Sequence, residues 1–329
     1  MTTAAGLTIR RYAGPSDLPG MVAVFNAMAE ADGLLERRSV EQLGAWYGRA
    51  TPHMDPLQDL LMAEDGERIV AYGRHQWIDT SDGLREHRLH AFAMPDARHA
   101  MDPLLDAVMA RATEVATAQG DVGMPRALST FVGEAQAWRR EPYERRGFTP
   151  IRWGFEMVRP DLENVEVPPM PEGIEVRPVG RDQLRQLWDA DTEAFRDHWG
   201  GFDGSDEAFQ EWLDEPDLDP TLFVVGWAGD EIAGGVLNTI NTSENEQLGL
   251  QRGWLDSVFV RRPWRRRGLA AALVARSLVL LRERGVHSAI LGVDAENPTG
   301  ALGVYERAGF EVATRDVCLR RAWTPGEAG

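Results

Sequence analysis

The chain has 329 residues, 43% of them hydrophobic and 26% charged, and a formal net charge of −17. That length is long for one hydrophobic core and comfortable for two, and the balance of apolar and charged residues excludes wholesale disorder. The acidic balance argues against nucleic acid as a partner, and the lone cysteine Cys318 excludes an internal disulfide framework. No apolar run reaches membrane-spanning length, because Arg276 breaks the best one, and the N-terminal MTTAAGLTIRR lacks a leader's apolar core, so a cytoplasmic protein is expected.

The first half opens on a strand, LTIRRY, followed by helical periodicity over 17–31 and again over 39–49. Strands over 59–63 and 68–77 flank the turn Asp65-Gly66, and Asp82-Gly83 turns the chain into a strand over 84–92. Asp102 is placed to cap a helix with Pro103 at its first position, running to about residue 119. A strand over 126–132, a helix over 134–146 stopped by Gly147, and a strand over 151–158 close the half. The stretch PDLENVEVPPMP is polar, rich in proline and without apolar periodicity, so it reads as a linker. The expected division is a domain at 1–160, a linker at 161–171 and a domain at 172–329.

After the linker the same order of elements returns. A strand over 174–179 leads to helices over 182–198 and 206–213, and strands over 221–228 and 231–240 flank the turn Gly229-Asp230. A loop rich in Asn, Ser and Glu precedes a strand over 253–260; then follow a helix to about residue 284, a strand over 289–293, a helix over 298–308 and two last strands. The phrase Tyr143-Glu-Arg-Arg-Gly-Phe148 is answered by Tyr305-Glu-Arg-Ala-Gly-Phe310, so tandem duplication is the natural reading. Charge is uneven within the second copy: residues 171–231 hold 17 Asp or Glu against 4 Arg, whereas 232–329 hold 13 Arg against 10 acids.

The chemistry concentrates where LDSVFV runs into RRPWRRR and then GLAAAL. Five arginines within 261–267 sit between a strand end and a helix start, where free amides and the helix dipole favour an anion. Gly268 admits close backbone approach and Ala270 keeps the helix start thin. The spacing Arg265-x-x-Gly268-x-Ala270 is neither a Walker loop nor a three-glycine dinucleotide fingerprint, and a small phosphate-bearing ligand accounts for it as well as a nucleic-acid patch would. No Cys, His and carboxylate spacing suggests a metal, and no serine sits in a G-x-S-x-G setting.

At this point the sequence resembles the GNAT acyl-CoA N-acyltransferase superfamily. Its signature R/Q-x-x-G-x-G/A follows a strand ending in valine and precedes an Asn…Tyr…Gly-Phe phrase, present here as Asn297, Tyr305, Gly309 and Phe310. The resemblance implies an α+β fold of two tandem GNAT-like domains, each a mixed, mostly antiparallel sheet flanked by helices. It implies acetyl-CoA as acyl donor, with its pyrophosphate on the amides of Arg265, Arg266, Arg267, Gly268, Leu269, Ala270 and Ala271. The pantetheine arm would run along Val258, Phe259 and Val260. Asn297 reads first as a helix cap, with ligand contact added by the resemblance.

In the family a tyrosine at the position of Tyr305 protonates the departing thiolate; as a plain core tyrosine it would need only a hydrogen-bond partner. The glutamate that many members place on the strand before the cradle is Trp254 here, which leaves Asp256 as the candidate base, or else a strand carboxylate with no such role. Alternation expects Asp256, Val258 and Val260 on one face of that strand and Leu255, Ser257 and Phe259 on the other. The first copy carries FAMPDARHAMDPLL where the cradle should be, without glycine, so it is expected to be degenerate. The aromatics Phe195, Trp199, Phe202, Phe209 and Trp212, interleaved with acids, suggest either a groove for a cationic amine or an acidic face over an apolar stripe. His198 beside Asp197 reads as a helix-end residue.

The expected reaction is transfer of acetyl to a primary amine of a small, cationic molecule, with no metal, membrane or nucleic acid involved. A non-catalytic acyl-CoA sensor or scaffold and a peptide N-acetyltransferase remain as alternatives, and release of CoA thiol over a panel of amines separates them.

Overall fold

The computed structural model describes residues 6–196, 198–200, 203–297 and 300–324. In chain order the elements of the first half are β1 (Thr8–Arg11), α1 (Leu18–Asp32), α2 (Val40–Tyr47), α3 (Pro56–Asp59), β2 (Leu60–Asp65), β3 (Arg68–Asp79), β4 (Arg85–Ala93), α4 (Met101–Ala118), β5 (Arg126–Gly133), α5 (Ala137–Arg145) and β6 (Thr149–Arg159). The second half runs β7 (Glu175–Arg177), α6 (Leu184–Phe195), α7 (Asp206–Leu213), β8 (Val224–Ala228), β9 (Glu231–Thr239), α8 (Thr242–Leu248), β10 (Arg252–Val260), α9 (Leu269–Glu283), β11 (Ser288–Asp294), α10 (Ala301–Arg307) and β12 (Glu311–Ala322).

Contacts divide the chain into two compact units: Met1–Arg152 with Asp316–Gly329, and Trp153–Arg315. The boundaries differ from the division expected at residues 160 and 172, because the closing strands are exchanged. In unit 1 the sheet order is β1-β2-β3-β4-β5, and the strand beside β5 is residues 316–322 of β12, paired antiparallel from Asp316↔Gly133 to Ala322↔Ala127. In unit 2 the order is β7-β8-β9-β10-β11, and the strand beside β11 is β6, paired antiparallel from Ala289↔Arg159 to Asp294↔Gly154. Among the described residues, each unit has one parallel pair, β4 with β5 and β10 with β11; the other pairs named here are antiparallel. Composition and periodicity carry no signal for which of two equivalent closing strands enters which sheet.

Other departures have local causes. The two last strands are one strand of 12 residues, β12. The Asn-, Ser- and Glu-rich loop contains α8, capped by Asn241, whose side chain accepts from the Glu244 amide. Asp102 is the second residue of α4 and not its cap, because a 3-10 turn over Pro95–Ala100 feeds directly into the helix. The linker segment packs on unit 2: Leu162 is buried in its core, and Pro168 O accepts from Arg276 Nη1 at 2.8 Å. Among the described residues no helix is long and apolar enough to cross a membrane.

Unit 2 is a three-layer arrangement. One face of its sheet buries Leu269, Leu273, Leu278 and Leu281 of α9 with Tyr305 of α10, and the other buries Leu187 and Trp188 of α6 with Phe259 and Val225. The sheet is thinned where Phe259 lies over β9: a Cβ on Gly235 would stand 2.7 Å from Phe259 Cε1, and one on Gly234 would stand 2.6 Å from the Phe259 carbonyl oxygen. Gly235→Val is therefore expected to cost about 1–3 kcal/mol of stability by overpacking, read as a lower denaturant midpoint with an unchanged m-value.

Candidate active site

The strand leading into the basic loop opens on one edge. Toward β9, β10 is paired through to Val260↔Gly234, but toward β11 it is paired only at Arg252↔Ser288, Gly253↔Ala289 and Trp254↔Ile290. Past that point β11 continues with β6, and among the described residues that edge of β10 has no strand neighbour. A register shift between Leu255 and Ser257 marks a bulge at Asp256. The expected alternation fails there: Leu255 packs into the α9-side core with Val258 and Val260, while Ser257 and Phe259 face α6. An extended chain laid along this edge can pair with the backbone of Val258 and Val260, whereas Phe259, expected in the same role, turns its carbonyl toward β9, as the Arg261 amide turns to Ala233 O.

The five arginines of the loop beyond do different things. Arg261 is held by Glu193, with Nη2 at 2.7 Å from Oε2, and Arg265 donates to the carbonyls of Val260 at 2.9 Å and Ala194 at 3.0 Å. These two arginines fasten α6 to the end of β10. Arg267 donates to Glu172 O at 2.8 Å, and Arg262, Arg266 and Arg267 are exposed. Backbone shape does the rest: Arg266 and Gly268 both have positive φ, 63° and 83°. The Ala272 amide bonds Gly268 O, so the amides at 269–271 precede the first intrahelical bond of α9. A Cβ on Gly268 would meet nothing within 4 Å, so the loop is open on that side of Gly268. Ala270 and Ala271 are half-buried, whereas the Leu269 side chain is in the core and offers only its backbone. The donors, the small residues and the helix dipole fit a pyrophosphate.

One titratable group stands where the open edge begins, and a second lies in the α9-side core against which Val258 and Val260 pack. Asp256, at the bulge, reaches solvent and accepts from Thr239 Oγ1 at 2.6 Å. Desolvation by the surrounding protein, with added repulsion from Glu215, Asp217 and Glu244, outweighs that hydrogen bond and pushes its carboxyl up to about 6. Tyr305 is buried at 6% exposure with its ring edge-on to Phe310, and burial pushes its phenol up to about 12. Asn297 follows β11 and does not cap α10, whose N-cap is Gly300; its Nδ2 lies 3.3 Å from His198 Nε2. Trp254 donates its indole N–H to Glu244 Oε2 at 2.8 Å, and the same oxygen accepts from buried Arg252 at 3.0 Å, so Glu244 is held in a buried ion pair.

The aromatic run in the first two helices of unit 2 belongs largely to the core. Trp188 and Phe209 are buried and the half-buried Phe195 and Trp212 pack against them, so these four rings build the α6–α7 layer, and Trp199 is half-buried. Phe202 and Asp197 lie outside the described residues. Several acids are paired as well, Asp189 and Asp206 with Arg185 and Glu193 with Arg261. One carboxyl stands out only in the structure. Asp191 of α6 is 3% exposed and accepts from Ser257 Oγ at 2.7 Å. It stands at the i+7, i+4 and i+3 positions of Leu184, Leu187 and Trp188, and an acid on an apolar stripe is the signal the sequence offers for it.

The corresponding place in unit 1 is filled. Strands β4 and β5 pair only from Arg85↔Arg126 to Arg88↔Ser129, so β4 has a similar open edge. Arg139 of α5, 4% exposed, donates there to Ala91 O at 3.1 Å and lies over the Phe92 ring. In the shared Tyr-Glu-Arg register Arg139 corresponds to Ala301, so the second copy has a methyl group where the first has a guanidinium. Among the described residues no group of three or more His, Cys, Asp or Glu side chains is arranged to hold a metal ion.

Comparison with known proteins agrees with this geometry. Residues 182–310 match the model of the acetyltransferase (GNAT) family. The chain is 32% identical to a mycothiol acetyltransferase of Streptomyces scabiei over 307 residues, covering 91% of this chain and 90% of that one. It is 26% identical to a mycothiol acetyltransferase of Geodermatophilus obscurus, covering 94% and 95%. Among solved structures, a GCN5-related N-acetyltransferase from Sphaerobacter thermophilus superposes with a TM-score of 0.71 at 24% identity, covering 98% of this chain and 97% of that one. A tandem GNAT protein from the clavulanic acid biosynthesis pathway superposes with a TM-score of 0.67 at 17% identity, covering 98% and 100%.

Proposed function

We propose that this chain, which belongs to the GNAT family of acetyltransferases, carries acetyl from acetyl-CoA to the primary amine of a small, cationic acceptor by direct attack in a ternary complex formed in unit 2. The open edge of β10 running into the amide cluster at 266–271 carries this reading, because one extended, pyrophosphate-bearing ligand satisfies both. In this reading the backbone of Val258 and Val260 holds the pantetheine arm and a strand amide steadies the developing oxyanion. Arg265, whose amide is spent on Arg262 O and so is not the phosphate donor expected of it, supports the cradle by fixing α6 to the end of β10, and Asn297 borders the ligand from the β11 side. Tyr305 gives its proton to the departing thiolate, and Asp256 takes the proton of the amine, directly or through one water.

Unit 1 is degenerate in this proposal, because it lacks the cradle glycine and Arg139 occupies its open edge. The preference for a cationic acceptor rests on the carboxylates around the bulge, Asp256 with Glu215 and Asp217 nearby, because the buried aromatic rings serve the core and Glu244 is neutralised by Arg252. From its relatives we carry over only a small-molecule acceptor.

The test is the pH profile of kcat/KM. A carboxyl that titrates near 6 is in its basic form above that pH, so wild-type kcat/KM is expected to fall as pH drops through about 6. Asp256→Asn should lower the rate by about 10²-fold or more and remove that limb. An Asp256→Asn profile that superposes on the wild type would overturn the assignment of the base.

A further inference from the structure

Among the described buried carboxylates Asp17, Asp59, Glu86 and Glu244 are ion-paired with arginines, whereas Asp191 has no such partner and no task in the reaction scheme. It lies on α6 among Leu187, Trp188, Ala190, Ala194 and Phe259, and among the described residues Ser257 Oγ is its hydrogen-bond donor, at 2.7 Å. A carboxyl with a single donor in an apolar layer is costly to bury, and an apolar side chain of similar size would pack there at least as well. Stability alone therefore gives no reason for it.

Its partner supplies one. Ser257 follows the bulge residue Asp256, and the bulge decides which way β10 presents its side chains. Two side-chain bonds hold this step in the strand from neighbouring elements: Thr239 Oγ1 of β9 to Asp256, and Ser257 Oγ to Asp191 of α6. The unpaired edge of β10 begins at the same place, just past Trp254↔Ile290. Without the bulge, Ser257 and Leu255 would share a face, and the amides of 257–260 would rotate by one register step.

We infer that Asp191 is a positioning residue for acetyl transfer: through Ser257 it pins the bulge in β10 and so fixes the backbone donors and acceptors that receive the pantetheine arm. The inference rests on the proposed acyl-CoA reading of unit 2. The contact needs an acceptor oxygen and no charge. Burial pushes the Asp191 carboxyl up to about 7, and a protonated carboxyl still accepts through its carbonyl oxygen. Desolvation and the Ser257 bond are the two influences on its titration, and among the described residues no charged side chain of α6, β9 or β10 adds to them.

The experiment measures CoA affinity, acetyl-CoA KM and kcat, and thermal midpoint for wild type, Asp191→Leu, Asp191→Asn, Ser257→Ala and the Asp191→Leu/Ser257→Ala double variant. Asp191→Leu and Ser257→Ala are each expected to weaken CoA binding and raise KM by about tenfold, with the double variant no worse than either single one. Asp191→Asn, which keeps the acceptor oxygen, should stay within about threefold of wild type with an unchanged pH profile, and Asp191→Leu should fold with an undiminished thermal midpoint. Wild-type affinity in Asp191→Leu would overturn the inference while leaving the acyl-CoA reading intact, and so would an Asp191→Asn variant as impaired as Asp191→Leu. A wild-type protein that does not bind CoA would remove the reading and the inference together.

Discussion

Tyr305→Phe is expected to lower kcat by about 10²–10⁴-fold while leaving CoA affinity within a few-fold of wild type. The ring is buried against Phe310 and its surroundings are apolar, so phenylalanine fills the same volume and the fold should be untouched. Only the hydroxyl is removed. Because burial holds the phenol near 12, it stays protonated across the working pH range and meets the departing sulfur as an O–H donor. The loss should therefore be uniform with pH, unlike the Asp256→Asn change, which removes a limb. Single-turnover kinetics at saturating acetyl-CoA measure it, and a Tyr305→Phe enzyme as fast as wild type would return Tyr305 to the core.

Gly268→Val should weaken CoA binding on the order of 100-fold, through two effects that act at the same place. Gly268 has φ of 83°, a left-handed conformation that a β-branched residue strongly resists, so the loop must rearrange to accept valine. The space in front of it is open, so any valine that does fit stands where the ligand would approach. Gly268→Ala carries a smaller version of the first effect and should fall between. Isothermal titration with CoA reads the order wild type, alanine, valine. Because the site lies at the exposed start of α9, thermal midpoints should move far less than affinity.

Much of this is legible in the amino-acid sequence. The cradle glycine, the tyrosine phrase and the duplication follow from residues whose spacing is local, and local spacing survives folding. What misleads is information that is not local. The interleaved aromatics and acids of α6 and α7 suggest a groove, yet Trp188 and Phe209 are core residues and the acids Asp189, Asp206 and Glu193 face arginines. The spacing of the five loop arginines does not say what each one holds, and Arg261 and Arg265 are bound to α6 and the β10 end. A bulge has no sequence signature as plain as a turn's, so strict alternation puts Leu255 on the wrong face. Strand exchange between β6 and β12 is invisible for the same reason that the duplication is visible: both closing strands suit either sheet.

In the proposed reading the difference between the two copies also locates activity. Arg139 in one and Ala301 in the other differ by a guanidinium at matching points four residues before the shared phrase, and that side chain makes the hydrogen bond to Ala91 O that a bound strand-like ligand would otherwise make. In the proposed reading, one acyl-CoA site per chain follows.

Acetyl transfer to an amine is tested most directly by acetyl-CoA-dependent release of CoA thiol over a panel of small primary amines, cationic, neutral and anionic. Saturable turnover that favours the cationic members, and that the Tyr305→Phe variant loses, is the predicted result. Tight CoA binding with no thiol release above the hydrolysis background for any amine would contradict it.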